Sequence, residues 1–88
     1  MQRFKDDDEA YLSWVSSNPE GYVVNSSRSP SPSYLILHRA SCKWITELST
    51  EGRSWTTDYI KICGHLPELE RWAHDDVGGR LQPCAHCA

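Results

Sequence analysis

The chain has no apolar run approaching the roughly 20 residues that a membrane-spanning helix needs. Its first residues, Met1-Gln2-Arg3-Phe4-Lys5, lead straight into Asp6-Asp7-Asp8-Glu9, without the apolar stretch of an export signal. The expectation is a protein of a reducing, cytoplasmic compartment with no membrane partner. Excess positive charge is also missing. The net charge is −3 and the isoelectric point about 5.7, so the whole-surface signature of a general nucleic-acid binder is absent. There are no paired carboxylates, no glycine-rich phosphate loop and no hydrolase motif, which removes the usual support for hydrolytic or phosphoryl-transfer chemistry. No repeat or heptad argues for a solenoid or coiled coil. With 88 residues the chain is expected to be one domain, 1–88, and a monomer. A domain so small buries too little surface to be more than marginally stable by its core alone.

What is present is a set of metal-ligand side chains at telling spacings. His38 and Cys42 read as H-x3-C, and Cys84 and Cys87 as C-x2-C. A C-x2-C pair lets two sulfurs converge on one ion across a tight turn, and Pro83 helps to preset that turn. An H-x3-C pair sets its ligands one helical turn apart, or around a knuckle. The 41 residues between the pairs are too many for a finger, so the ion would clamp the end of a small domain onto its middle. Four protein ligands with no open position suit one structural Zn2+ and make a poor catalytic site. Structural zinc supplies roughly 10–16 kcal/mol in finger peptides, enough to decide whether such a chain folds.

The same residues admit other readings. A chance C-x2-C beside an ordinary surface His38 needs no metal. Cys84-Ala85-His86-Cys87 has redox spacing, but redox C-x2-C pairs open a helix and only Ala88 follows here. Four cysteines also suit two disulfides, a reading that the expected reducing compartment disfavours. Cys63 is expected in or near the core, and His65 and His74 at the surface. His86, inside the C-x2-C turn, is expected to point away from the ion.

Hydrophobic periodicity predicts an α+β fold: a small three-stranded, antiparallel sheet, two main helices and a structural zinc site. A helix is expected from Asp7 to about Ser17, with Asp6–Asp8 at its N-terminus and Tyr11, Trp14 and Val15 on one stripe. Gly21–Asn25 reads as a short strand, and Ser26–Ser33 as an exposed Ser/Pro loop. Tyr34–His38 is almost wholly apolar and reads as a central strand covered on both faces. Arg39–Leu48 is expected to form a knuckle and short helix with Trp44, Ile45 and Leu48 inward. Ser49–Ser54 reads as a loop. Thr56–Cys63 alternates and reads as a half-exposed edge strand. Pro67 opens a second helix, with Leu66, Leu69, Ala73 and Val77 along one stripe, Trp72 beside it, and Gly78-Gly79 as its stop.

Taken together, Tyr34-Leu-Ile-Leu-His38-Arg-Ala-Ser-Cys42, a strand, a helix, and Gly79-Arg-Leu-Gln-Pro83-Cys84-Ala-His-Cys87 resemble the Ada-type metal-binding domain. The resemblance spans 34–87 and leaves out the N-terminal helix segment, 1–20. It implies that family's fold, a structural zinc and contact with the DNA backbone, in domains appended to bacterial nucleases and other DNA-handling proteins. The family's best-known member transfers a methyl group from DNA to the first thiolate of its zinc site. That position here is His38, a far weaker nucleophile, so the acceptor activity does not carry over.

The first functional expectation is a non-catalytic zinc module that contacts DNA for a nuclease, restriction or repair system, alone or fused to a nuclease domain. Candidate nucleic-acid contacts are Arg28, Arg39, Lys43, Arg53 and Arg80 to phosphates, with Trp44 or Trp55 for stacking. Each has a plainer alternative as a solvated charge or a core tryptophan. The second is a zinc-stapled protein–protein interaction module, favoured by overall acidity and by Trp14, Trp44, Trp55 and Trp72 in so small a chain. The third is a zinc-thiolate alkyl acceptor using Cys42, Cys84 or Cys87.

Overall fold

Asp7 starts the first helix. Its Oδ1 accepts the Ala10 N–H at 3.1 Å, capping α1 (Asp8–Ser17). The computed structural model describes residues 1–46 and 54–87. Tyr11 and Val15 of α1 are buried and Trp14 is half-buried, as the stripe predicts. Among the described residues five strands follow the chain: β1 (Gln2–Phe4), β2 (Tyr22–Ser31), β3 (Tyr34–Arg39), β4 (Tyr59–Gly64) and β5 (Gln82–Pro83). The second helix, α2 (Leu66–Trp72), widens into a π-helical turn over Ala73–Val77.

The class is α+β, but the expected three-stranded antiparallel sheet is wrong. The sheet has five strands in the order β1-β4-β2-β3-β5, and it is mixed because β5 runs parallel to β3. The two extra strands are three and two residues long. Neither is long enough to show an alternation. They exist because longer strands offer them open edges: Gln2 to Phe4 pair with Cys63 to Lys61, and Gln82 and Pro83 align with Ile36 and Leu37.

Those edges also exchange the expected roles of two strands. β4, expected half-exposed, is buried from Ile60 to Gly64 because β1 and β2 flank it. β3, expected to be covered on both faces, has only Leu35 and His38 fully buried. The expected Ser/Pro loop is largely strand. β2 runs on to Ser31, and the β2–β3 register jumps between Ser26 and Ser31, so Pro30 sits where the β2–β3 ladder is interrupted and no ladder N–H is demanded of it.

The sheet separates two cores. On one face, Leu69, Trp72 and Ala73 pack on Val24, Leu35, Ile60 and Ile62. On the other, Phe4, Tyr11, Val15, Val23 and Cys63 pack with Ala40, Cys42, Ile45 and Cys84. The alternation within β2 and β4 feeds both. Lys61 breaks the expectation of an outward polar residue. It is 4% exposed, roofed by α1, and its Nζ donates to Asn25 Oδ1 at 2.8 Å and to the Trp55 carbonyl at 2.6 Å.

Gly78 ends the second helical segment with φ +80°, the left-handed conformation that glycine adopts without strain. Gly79 then lies against Pro32, whose Cα would be 2.7 Å from any added Cβ. This close approach brings the chain back along β3 towards Cys84. Among the described residues no helix is long and apolar enough to cross a membrane.

Candidate metal centre

His38, Cys42, Cys84 and Cys87 converge. One ligand atom from each lies within 4.8 Å of the others. Each reaches the site by a different local device. His38 stands on β3 at the end of a row that runs Gln2, Cys63, Val23, His38 across four strands. Cys42 follows a turn closed by its own N–H on the Arg39 carbonyl, 2.9 Å. Cys84 is placed by its N–H donating to the Leu37 carbonyl at 2.8 Å, the bond that continues the parallel β3–β5 pairing. Cys87 closes the turn after it, with Sγ 3.9 Å from His38 Nδ1.

The donor set fits a tetrahedral ion. Metal–sulfur and metal–nitrogen bonds of about 2.3 and 2.0–2.1 Å put a sulfur and a nitrogen ligand about 3.6 Å apart, and Cys87 Sγ and His38 Nδ1 lie 3.9 Å apart. His38, Cys42 and Cys84 are buried and Cys87 is half-buried, so the cluster lies beneath the surface. Burial, then the charges of Lys61 and His86, push the His38 imidazole down to about 4, leaving it neutral with a lone pair to give. Burial and a hydrogen bond with the Cys87 thiol push Cys42 up to about 12. Cys84 goes the other way. Burial opposes its ionisation, but the His86 N–H at 3.4 Å and the neighbouring Cys87 and Cys42 thiols prevail and hold it below the ordinary thiol value. An acidified thiol next to a neutral imidazole is a starting point for a cation, whose charge would expel the thiol protons.

The two knuckles repeat one motif. The N–H two residues after each leading cysteine, from Trp44 and from His86, points at that cysteine's sulfur. The side chains at those equivalent positions stack on one another, with ring centroids 4.5 Å apart and planes 29° from parallel. Trp44, expected inward, is 53% exposed, because the tight 3-10 turn Lys43–Ile45 can bury only one of its apolar residues, and that is Ile45. Leu48, also expected inward, and Arg53 lie outside the described residues.

The candidate nucleic-acid residues fall into two groups. Arg39, Lys43 and Trp44 surround the ligand set, and Arg39 Nε donates to the Cys87 carbonyl at 3.0 Å, tying the knuckles together. Arg28 lies five residues along β2 from His38's partner Val23, paired with both Asp6 oxygens at 2.9 and 3.0 Å. Arg80 sits four residues before Cys84, beside the Pro32 turn. Trp55 is half-buried against the core below α1.

Two supports of the site carry no sequence signal. Tyr11 of α1 donates its hydroxyl to the Ile45 carbonyl at 2.7 Å, so the N-terminal helix holds the first knuckle. Asp8 accepts from Ser54 Oγ, the Trp55 and Thr56 N–H groups and Thr56 Oγ1, at 2.6–2.9 Å, and fastens the return segment to α1. No family model matches the chain, and no curated protein or solved structure matches it.

Proposed function

We propose that this chain is a zinc-stapled, non-catalytic module that contacts DNA through the face formed by its two metal knuckles. The single observation that carries the reading is that the cations Arg39 and Lys43 each adjoin a ligand of the four-residue cluster, His38 and Cys42, and that Arg39 also bonds the Cys87 carbonyl. Zinc is the ion that three thiolates and one imidazole in a closed tetrahedron suit best. A full complement of protein ligands leaves no position for a reacting water, which is why we assign no catalysis. The Ada-type resemblance enters here as a proposal, on the ligand spacing and the Pro-Cys-x2-Cys ending. A place in a nuclease, restriction or repair system, in the cytoplasm, belongs to the same proposal.

The test has two parts. Metal analysis of the purified protein is expected to give one zinc per chain, and the cobalt-substituted protein should show thiolate charge-transfer and tetrahedral d–d bands. Amide shifts on adding a short duplex at low salt should cluster on Arg39, Lys43 and Trp44 and vanish at high salt, because phosphate contacts release counterions. A metal-free folded protein would refute the staple. A folded zinc protein silent to nucleic acid would favour the second reading, a protein-interaction module, which the exposure of Trp44 supports.

A further inference from the structure

We infer that the Trp44–His86 pair is a stacking platform for an unpaired base, so that the module prefers single-stranded or locally opened nucleic acid to intact duplex. The inference rests on the DNA-contact reading above and names its substrate class. Three observations carry it.

The first is the exposure of Trp44. Trp72 is buried and Trp14 and Trp55 are half-buried, whereas Trp44 is 53% exposed. The second is rigidity. Trp44 and His86 leave equivalent positions of two knuckles that the Arg39–Cys87 bond ties together, and they already stack at 4.5 Å. A base added to the stack therefore meets rings that are already aligned, and little further side-chain freedom is lost. The third is charge. Between His38 and Thr46, and between Cys84 and Cys87, the chain has Arg39 and Lys43 but no carboxylate, although its net charge is −3. An aromatic face beside cations suits a base with its phosphate.

The surroundings argue for a base over a protein side chain. Among the described residues the other large exposed apolar side chains are Met1 and Tyr59. Met1 lies beside Glu68 of α2, and Tyr59 packs at a tilt against Tyr34 at the far end of the sheet, with ring centroids 5.3 Å apart. Among the described residues, Trp44 therefore belongs to no broad apolar patch of the kind a protein hot spot needs around it. Intact duplex hides its base faces in its own stack, so only an unpaired base can use the platform.

The experiment is fluorescence anisotropy of zinc-saturated protein with labelled oligothymidine of about 12 nucleotides and, separately, a blunt duplex hairpin. Single strand is expected to bind about tenfold tighter than duplex. Trp44→Ala is expected to weaken the single-strand complex about 5- to 100-fold and the duplex complex by no more than about twofold, while Trp44→Phe stays within about threefold of wild type. Zinc content and denaturation midpoint of each variant are measured alongside. Should Trp44→Ala misfold, the indole N–H resonance of Trp44 in the unmutated protein decides: a large shift with oligothymidine supports the platform, and an unmoved resonance overturns it. Equal or tighter duplex binding with Trp44→Ala neutral overturns the platform and leaves the DNA-contact reading standing. Binding to neither probe overturns both and directs the search to a protein partner.

Discussion

Asp6, Asp7 and Asp8 are indistinguishable as a run of letters, yet the structure gives them unequal work. Asp6 forms an exposed pair with Arg28, an attraction that the surrounding water screens. Asp7 caps α1 with one bond, worth about 1 kcal/mol. Asp8 accepts four hydrogen bonds from Ser54, Trp55 and Thr56, and Thr56 is fully buried. At about 1 kcal/mol net per bond, Asp8→Ala should cost about 3–4 kcal/mol. An 88-residue domain has a total of about 4–13 kcal/mol, so the loss is a large share of it. The melting temperature should fall by about 15–25 °C. Asp8→Asn should lose about half as much, because its amide keeps one acceptor but turns a donor towards one of the N–H groups.

The assay is urea denaturation of the three alanine variants and Asp8→Asn, all zinc-saturated, at several pH values. The acid dependence has a definite sign. Burial opposes ionisation of Asp8, but the bonds from Thr56, Ser54 and Trp55 outweigh it and hold the carboxyl below its ordinary value. Its contribution is therefore complete above about pH 4 and disappears as the pH falls through the lower folded-state value. The gap between wild type and Asp8→Ala should stay constant from neutrality down to about pH 5 and close below about pH 4. Equal losses for Asp6→Ala, Asp7→Ala and Asp8→Ala, or a gap that widens in acid, would refute the assignment.

Exhaustive chelation should abolish the near-UV circular dichroism, since the staple contributes about 10 kcal/mol or more; an unchanged spectrum would contradict this. His38→Ala, Cys42→Ser, Cys84→Ser and Cys87→Ser should each lose the ion, whereas Cys63→Ser, altering a thiol that lies beyond Val23 in the sheet, should keep one zinc per chain. Lys61→Met tests the buried amine. Burial pushes Lys61 down to about 8, so its proton is bound less well in the folded state, and wild-type stability should rise relative to Lys61→Met between about pH 8 and pH 10. A flat difference in paired denaturation curves would show that the amine stays charged.

The sequence by itself determined the features that local chemistry specifies. H-x3-C and C-x2-C each depend on a turn of a few residues, so both ligand pairs were legible, as were the Asp-capped first helix and the glycine that ends the second. Long-range pairing decided the rest. That the two ligand pairs meet depends on the Cys84–Leu37 bond between β5 and β3, and no window around either pair contains it. β1 and β5 are too short to carry a period, so three legible strands became five. Lys61 reads as outward from its alternation, but which face α1 covers is settled only when the helix packs. Trp44 reads as core from its composition, yet it faces outward because its turn has room to bury one apolar residue and Ile45 takes it.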